Sequence, residues 1–450
     1  FDGPLNNIQE APAIGNGDLG ALVQIYHNEF RLHLGKNDIW DARFDHRARR
    51  GVVTQDDLIR LSRDYGFRLE GGAYSGKPVF DRRPPRGLRY IDCDPGYDRH
   101  VFPCPKPAGL IRILHAGSSS TRIQTVVDIR NGVVTSEFEM DFGWHGKTRL
   151  VLEAFVDREV NAVRFRIRQV EKMGTLRLCI EKPPDGRDAS VPPPRVRRSE
   201  EWQGTITQTI PGGYGVAPFQ WHLAGVFPRP APGRSARPVE AHPYRLWQAV
   251  ELQEGQSLEF TVGVATDRET SSPLRGARRS VSGSLARARA LAGSGREGTY
   301  ERALRAQNRA WARFWDRSGV ELGDRELEKS WYRNLFALAC QIRPGAMAPG
   351  LVGNVATWES SPWHGCFTVN MNTQKMFLSA APSNHPEWID GYADWLDHLK
   401  PGFRHLARIT FGLEGIHSPH MVFPYVKPER QASSNQCGRA LGMTGWHGQP

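Results

Sequence analysis

Between residues 120 and 265 apolar and polar side chains alternate with a period of two, run after run, and that repeat leaves few folds open. Ile123, Thr125, Val127 and Ile129 form one such set, and Val134, Ser136, Phe138, Met140 and Phe142 another. Leu150, Leu152, Ala154 and Val156 follow, then Val163, Phe165 and Ile167 with Arg164, Arg166 and Arg168 between them. Successive side chains of a strand point to opposite faces, so each set defines one buried face. Asn131-Gly132, between the first two sets, predicts a hairpin because both residues tolerate positive φ. Further strands are expected at 205–210, 220–227, 244–252 and 258–265. Many strands with few helices between them predict a large antiparallel β-sandwich.

The period changes near Ser284. Residues 284–317 carry Ala, Arg, Leu and Glu at helical density, with Tyr300, Leu304, Trp311 and Trp315 on one stripe. A second helix, 325–341, is expected to bury Leu327, Trp331, Leu335 and Leu338. It should stop at Arg343-Pro344-Gly345, since proline cannot continue it. A third helical stretch, about 385–411, follows Pro386 with Trp388, Tyr392, Trp395, Leu399 and Leu406. Residues 71–110 and 182–200, rich in Pro, Gly and Arg, read as long loops. The expected organisation is a sandwich domain at 1–283, a helical linker at 284–320 and an α domain at 321–450.

Composition narrows the function classes. The chain has 450 residues, 39% hydrophobic and 24% charged, enough apolar residues for a core and too many for a fully disordered chain. The longest apolar run, residues 335–342, is far below the roughly 18 residues of a membrane span, so no span is expected. Lys and Arg number 59 against 48 Asp and Glu, a formal charge of +11, but the excess is spread along the chain. Without a basic stripe interleaved with aromatics, no nucleic-acid partner is expected. Six cysteines with no CxxC spacing make neither a disulfide scaffold nor a zinc site. Cys93 and Cys104 share a loop and could pair if the protein is exported. Cys179, Cys340 and Cys366 read as small core residues. Gly15 and Gly17 belong to no GxGxxG motif, so no nucleotide loop is expected, nor any cofactor.

The most unusual stretch is 348–382. Trp358, Trp363, His364 and Phe367 crowd beside Asn354, Glu359, Asn370 and Asn372. Indole faces beside amide and carboxyl groups suit a sugar, whose C–H face stacks while its hydroxyls are hydrogen-bonded; an ordered loop with capping asparagines is the alternative. Glu359 is the best acid within the stretch, or else a hydroxyl acceptor or a partner of one of the many arginines. Asp390, Asp394 and Asp397 share one helix face and read as solvated. His417 and His420 are candidates to line the same pocket; as a metal pair they lack a third ligand.

Four ordered segments resemble glycoside hydrolase family 95, the inverting α-L-fucosidases and α-L-galactosidases. Ala13-Ile14-Gly15-Asn16-Gly17-Asp18-Leu19-Gly20-Ala21-Leu22-Val23 is similar to its N-terminal PIGNGxLGAMV, and Leu34-Gly35-Lys36-Asn37-Asp38-Ile39-Trp40 to its LNExxxW. Residues 334–353 resemble its helix ending in SSRPG followed by NLQG. Pro362-Trp363-His364-Gly365-Cys366-Phe367-Thr368-Val369-Asn370-Met371-Asn372 resembles PPWxxxYxxNxN. The resemblance implies a β-sandwich, a helical linker and the start of an (α/α)₆ barrel, with Asn370 and Asn372 holding the attacking water. Trp358, Glu359, Trp363, His364, His417 and His420 would bind an oligosaccharide or glycoside. It implies an acid and a base further along the barrel, so this chain is expected to be an N-terminal part, inactive alone. Cys366, residues 374–377 and residues 352–354 depart from the family pattern, which bears on the sugar more than on the fold. The competing readings are a carbohydrate-binding homologue without catalysis, and a related glycosidase or phosphorylase of the same architecture. The chain starts at Phe1 without a leader; an extracytoplasmic location is the expectation.

Overall fold

Two antiparallel sheets realise the alternation. The computed structural model describes residues 1–43, 55–70, 77–85, 101–115, 120–141, 147–169, 174–229, 237–252, 254–269, 283–293, 299–369, 371–418 and 421–425. Among these, the first sheet runs in the spatial order Ala13–Gly15, Leu19–Tyr26, Glu29–Lys36, Gly109–His115, Gly174–Glu181, Arg245–Leu252, Glu240–His242. The second runs Arg195–Glu200, Gln203–Ile210, Phe219–Val226, Ser257–Thr266, Ala162–Gln169, Lys147–Val156, Val133–Asp141, Ser120–Asp128. Their apolar faces meet. Phe30 of the first sheet packs edge-on against Phe165 of the second at 6.4 Å between ring centroids. The indole N–H of Trp221, which is fully buried, donates to the Ala108 carbonyl at 2.9 Å, so the buried polar atom is satisfied.

Where sequence and structure differ, the cause is visible. The 120–141 hairpin forms, but its loop is four residues closed by the Asp128–Val133 pair rather than a two-residue Asn-Gly turn. Gly132 has φ +67, while Asn131 is not left-handed. A Cβ on Gly132 would lie 2.8 Å from the Trp311 indole nitrogen, so the turn is shaped by what packs on it. The expected loop at 182–200 ends in a strand, Arg195–Glu200. It lies at the sheet edge and is exposed along most of its length, so no apolar face marked it in sequence. Of the two cysteines that could pair on export, Cys93 lies outside the described residues. Cys104, Cys179, Cys340 and Cys366 are buried, as small core residues should be.

His33, on the first sheet, hydrogen-bonds through Nε2 to Gln24 Oε1 at 2.5 Å. Burial, with Arg31 nearby and only Glu29 opposing, pulls its pKa down to about 4. Between that value and roughly 6.5, the ordinary imidazole value, the unfolded chain holds a proton that the folded chain does not. Stability should therefore fall as the pH drops from 6.5 towards 4. The His33→Asn variant should show a shallower fall, read from urea midpoints at each pH; parallel curves would refute the assignment.

Six α-helices are described: α1 (Gln55–Tyr65), α2 (Ser284–Gly293), α3 (Thr299–Trp315), α4 (Arg325–Gln341), α5 (Asn372–Phe377) and α6 (Glu387–Phe411). A short 3₁₀ turn, Pro362–Gly365, precedes α5. The sequence pointed to the regions of α2, α3, α4 and α6. Within α4 the buried stripe is Leu335, Phe336, Ala339 and Cys340, while Leu327 is 61% exposed. The first turn of α4, capped by the Asp324 carboxylate on the Glu326 and Leu327 amides, projects from the molecule, and only its last two turns are buried. Among the described residues no helix is long and apolar enough to cross a membrane.

α3 lies on the hairpin end of the second sheet. Gln307 Nε2 donates to the Asn131 carbonyl at 2.9 Å and its Oε1 accepts from the Arg158 amide at 2.8 Å. The guanidinium of Arg158 lies 4.6 Å from the centre of the fully buried Trp311 ring. Trp311 in turn packs at 5.0 Å on Phe336 of α4, which joins the sandwich core to the helices.

Candidate functional site

The last turn of a helix leaves carbonyls without intrahelical partners. In α4 these are satisfied across the boundary with the sandwich. Arg158 Nη1 donates to the Ala339 carbonyl at 2.5 Å, and the Gly17 amide to Cys340 at 2.9 Å. Asn37 Nδ2 donates to Gln341 at 3.0 Å, and Asn354 Nδ2 to Cys340 at 2.8 Å. The glycines of the first motif permit this approach. A Cβ on Gly15 would lie 2.3 Å from the Cys340 oxygen, and one on Gly17 2.5 Å from Arg343 Cβ. The two N-terminal motifs therefore form the rim on which α4 and its following loop are seated.

Beneath the rim lies a buried ionic cluster. Lys36 Nζ is 2.9 Å from Asp18, 2.9 Å from Asp38 and 3.3 Å from Glu269. Burial opposes the Lys36 charge, but the three carboxylates outweigh it and raise its pKa. Burial likewise opposes the Asp18 charge, and Lys36 and Arg343 outweigh it, so Asp18 is held below the usual carboxylate range. Asp38 moves the other way, because burial and its neighbours Asp18 and Glu269 outweigh Lys36. A cavity of about 260 Å³ opens beside this cluster, also walled by Asn161, Arg287 and Arg343.

The loop after α4 carries four of the candidate sugar residues. The Glu359 carboxylate accepts from Lys182 Nζ at 2.5 Å and lies 3.8 Å from Lys106 Nζ. Lys106 also donates to the Glu359 backbone carbonyl at 2.8 Å and to Asp185 at 2.7 Å. Both lysines are buried residues of the sandwich. Glu359 is thus a salt-bridge partner, with lysines where the sequence suggested arginines. It fixes the loop between two exposed tryptophans, Trp358 at 52% and Trp363 at 68%. Trp363, His364 and Gly365 have φ of +47°, +55° and +57° in succession. Left-handed backbone costs each of the two non-glycine residues on the order of 1–2 kcal/mol. Packing holds it in place: the His364 ring lies 4.3 Å from Phe102, and Phe102 meets Phe423 at 5.2 Å.

Below this turn the loop is anchored in the core. Phe367 stacks on Trp395 of α6 at 4.2 Å and on Trp40 at 6.1 Å, and pairs with Val422 as a short strand. Asn370 and His420 lie outside the described residues. Asn372 is exposed and is the first residue of α5, and Met371 before it has ψ −48°. Asn372 is therefore helical and not part of the extended segment on which alternation would put Asn370 and Asn372 on one face. His417 packs edge-on against Phe411 at the end of α6, 5.0 Å between centroids. Asp390, Asp394 and Asp397 are exposed, as expected of a solvated face.

Lys106, Lys182 and Asp185 were not singled out by the sequence. Lys182 follows strand Gly174–Glu181 directly, and a lysine at the end of an apolar strand is a faint signal of a buried pair. Among the described residues no cluster of His, Cys, Asp and Glu has the geometry of a metal site.

A two-sheet sandwich followed by helices seated on its rim defines the fold class. No family model matches the chain, and no curated protein matches it in sequence. Among solved structures it is similar to a putative kojibiose phosphorylase from human microbiome, with a TM-score of 0.56 and 11% identity over 92% of this chain and 50% of that one. The chain thus spans about half the length of that protein. More remote are a bacterial glucoamylase complexed with acarbose, at TM-score 0.33, 10% identity, and 70% and 48% coverage of this chain and that one, and the family GH92 alpha-mannosidase from Bacteroides thetaiotaomicron, at TM-score 0.29, 12% identity, and 52% and 31% coverage.

Proposed function

We propose that the protein is carbohydrate-active, and that the loop from Trp358 to Asn372 forms one wall of its sugar site. The observation that carries this reading is the left-handed run at Trp363–His364. Backbone strain persists where the surroundings over-determine it, and such sites are concentrated where ligands are gripped. Here the result is an indole held out in solvent on a loop that carries a second exposed tryptophan and is clamped by two buried lysines.

In this reading Trp358 and Trp363 stack on the sugar rings, and His364, His417 and His420 offer hydrogen bonds to hydroxyls. Glu359 acts through the loop it anchors. The finer assignment follows the resemblance to the inverting α-L-fucosidases and α-L-galactosidases. Asn370 and Asn372 orient the attacking water, an amide offering both an acceptor and donors without competing for the proton. Inversion then needs an acid and a base roughly 6.5–9.5 Å apart with the water between sugar and base. Neither is supplied by Glu359, which is engaged by lysines. We assign residues 1–283 to the sandwich, 284–320 to a linker and 321–450 to the helical catalytic part.

Phosphorolysis is the second reading, favoured by the fold likeness to a protein described as a putative phosphorylase. The two separate on one assay: the full-length protein is given aryl α-L-fucoside or α-L-galactoside with and without phosphate, and the first anomer released is read by NMR. Phosphate-independent release with inversion supports the hydrolase. Trp363→Ala should weaken sugar binding, read by fluorescence, without moving the melting temperature. Asn372→Ala should lower turnover while binding persists. Unchanged sugar binding in a Trp358→Ala/Trp363→Ala double variant would remove this loop from the site.

A further inference from the structure

The outer face of the second sheet carries a different kind of cavity. We propose that it binds a tetrahedral oxyanion, a phosphate or sulfate group, either free or as an ester.

The cavity measures about 440 Å³ and lies where α2 begins on the sheet. Its floor follows from the strand register. Arg195 pairs with Thr207, and Thr207 with His222. Two residues along, Arg197 pairs with Thr205, and Thr205 with Ala224. Side chains two apart share a face, so both arginines and both threonines stand on the side away from the core. The same face seats α2: Ala224 and Ala265 of the sheet pack on Ala288 and Ala292 of the helix. These small contacts bring the helix close and swing the neighbouring Arg289 into the cavity wall.

Three guanidiniums therefore converge on one space. Among the described residues, none of Arg195, Arg197 and Arg289 has a carboxylate partner. The single acid in the wall, Asp267, accepts from Ser284 Oγ at 2.5 Å and from the Gln220 amide at 3.1 Å. His222 is buried at the centre, hydrogen-bonded through Nδ1 to Thr207 Oγ1 at 2.9 Å and through Nε2 to Ser284 Oγ at 3.1 Å. Burial lowers its pKa, Asp267 opposes this, and Arg195 and Arg289 add to the lowering. The imidazole is thus kept neutral in a cavity of net positive charge. Arginine forks match the paired oxygens of phosphate and sulfate, and the Thr205 hydroxyl in the wall supplies a further donor, the Thr207 proton being taken up by the neutral His222 Nδ1. The volume exceeds that of the bare ion, which leaves room for the group an ester carries.

The test is calorimetric titration of the 450-residue chain with sodium phosphate, sodium sulfate and glucose 6-phosphate, at ionic strength held constant with chloride. Saturable binding is expected for all three. Arg195→Gln/Arg289→Gln should weaken it by about tenfold or more, since hydrogen bonds between charged groups are lost. Both arginines are exposed, so the variant should melt near the parent. The His222 imidazole resonances should move on adding phosphate. Tighter binding of the ester than of phosphate identifies an esterified ligand; equal binding identifies the free ion. Absence of saturable heat and of any His222 shift, or unchanged affinity in the double variant, would overturn the proposal.

Discussion

Lys36→Met should destabilise the protein by about 3–5 kcal/mol, the usual cost of leaving buried charges without their partner. Asp18, Asp38 and Glu269 all converge on Lys36 Nζ within 3.3 Å. Methionine fills the volume of the stem but leaves three carboxylates facing one another. Arg343, 3.1 Å from Asp18, and Arg287, 2.8 Å from Glu269, would compensate two of them and leave Asp38 without a cation. The measurement is the urea midpoint at neutral pH, with Lys36→Met/Asp38→Asn expected to recover part of the loss. The pH dependence has a defined sign. The Lys36 contribution is present below its ordinary pKa of roughly 10.4 and is lost as pH rises through the raised folded value. The Asp18 contribution is present above roughly 3.9 and is lost as pH falls through its lowered value. Asp38, raised, gains in the folded state as acid is added and partly offsets Asp18. A loss below about 1 kcal/mol for Lys36→Met would mean that water reaches the cluster.

Gly17→Ala should be nearly as damaging. The residue has φ +92°, which costs an L-residue on the order of 1–2 kcal/mol. Its new Cβ would also fall 2.5 Å from Arg343 Cβ and 2.6 Å from the Ile342 carbonyl, an overpacking worth about 1–3 kcal/mol more. Gly3→Ala separates the two contributions, because Gly3 has φ +91° with nothing within 4 Å of the added atom. The difference between the variants in thermal melts measures the seating of α4 on the rim. Equal destabilisation of the two would show that the rim yields without cost.

The sandwich was legible because burial on one face imprints a period of two, and the helices because proline and aromatic stripes bound them. Edge strand Arg195–Glu200 was not, since Val196 is its one side chain packed on the core and the rest are exposed. The N-terminal motif was visible as a motif, but its role was not. Gly15 and Gly17 are needed by carbonyls of residues 340 and 342, and no local pattern encodes a partner more than 300 residues away. The same holds for Glu359, whose lysine partners lie 177 and 253 positions upstream. Trp358 and Trp363 stood out by composition, whereas the left-handed backbone that displays Trp363 depends on Phe102, far off in sequence. The asparagine pair was read from strand periodicity, and α5 starts at the second of the two.

The seating of α4 also fixes an order of events during synthesis. Asn37 and its acceptor, the carbonyl of Gln341, are 304 residues apart. At about 5–20 residues per second, the ribosome reaches residue 341 roughly 15–60 s after it has made the rim. For that interval the amide of Gly17 and the side chain of Asn37 have no helix end to receive them, Arg158 joins them once it is made, and the charged cluster beneath the rim is left uncovered. The rim is therefore the part of the molecule on which a holdase chaperone would act longest, and a pause in translation before residue 341 would prolong its exposure directly.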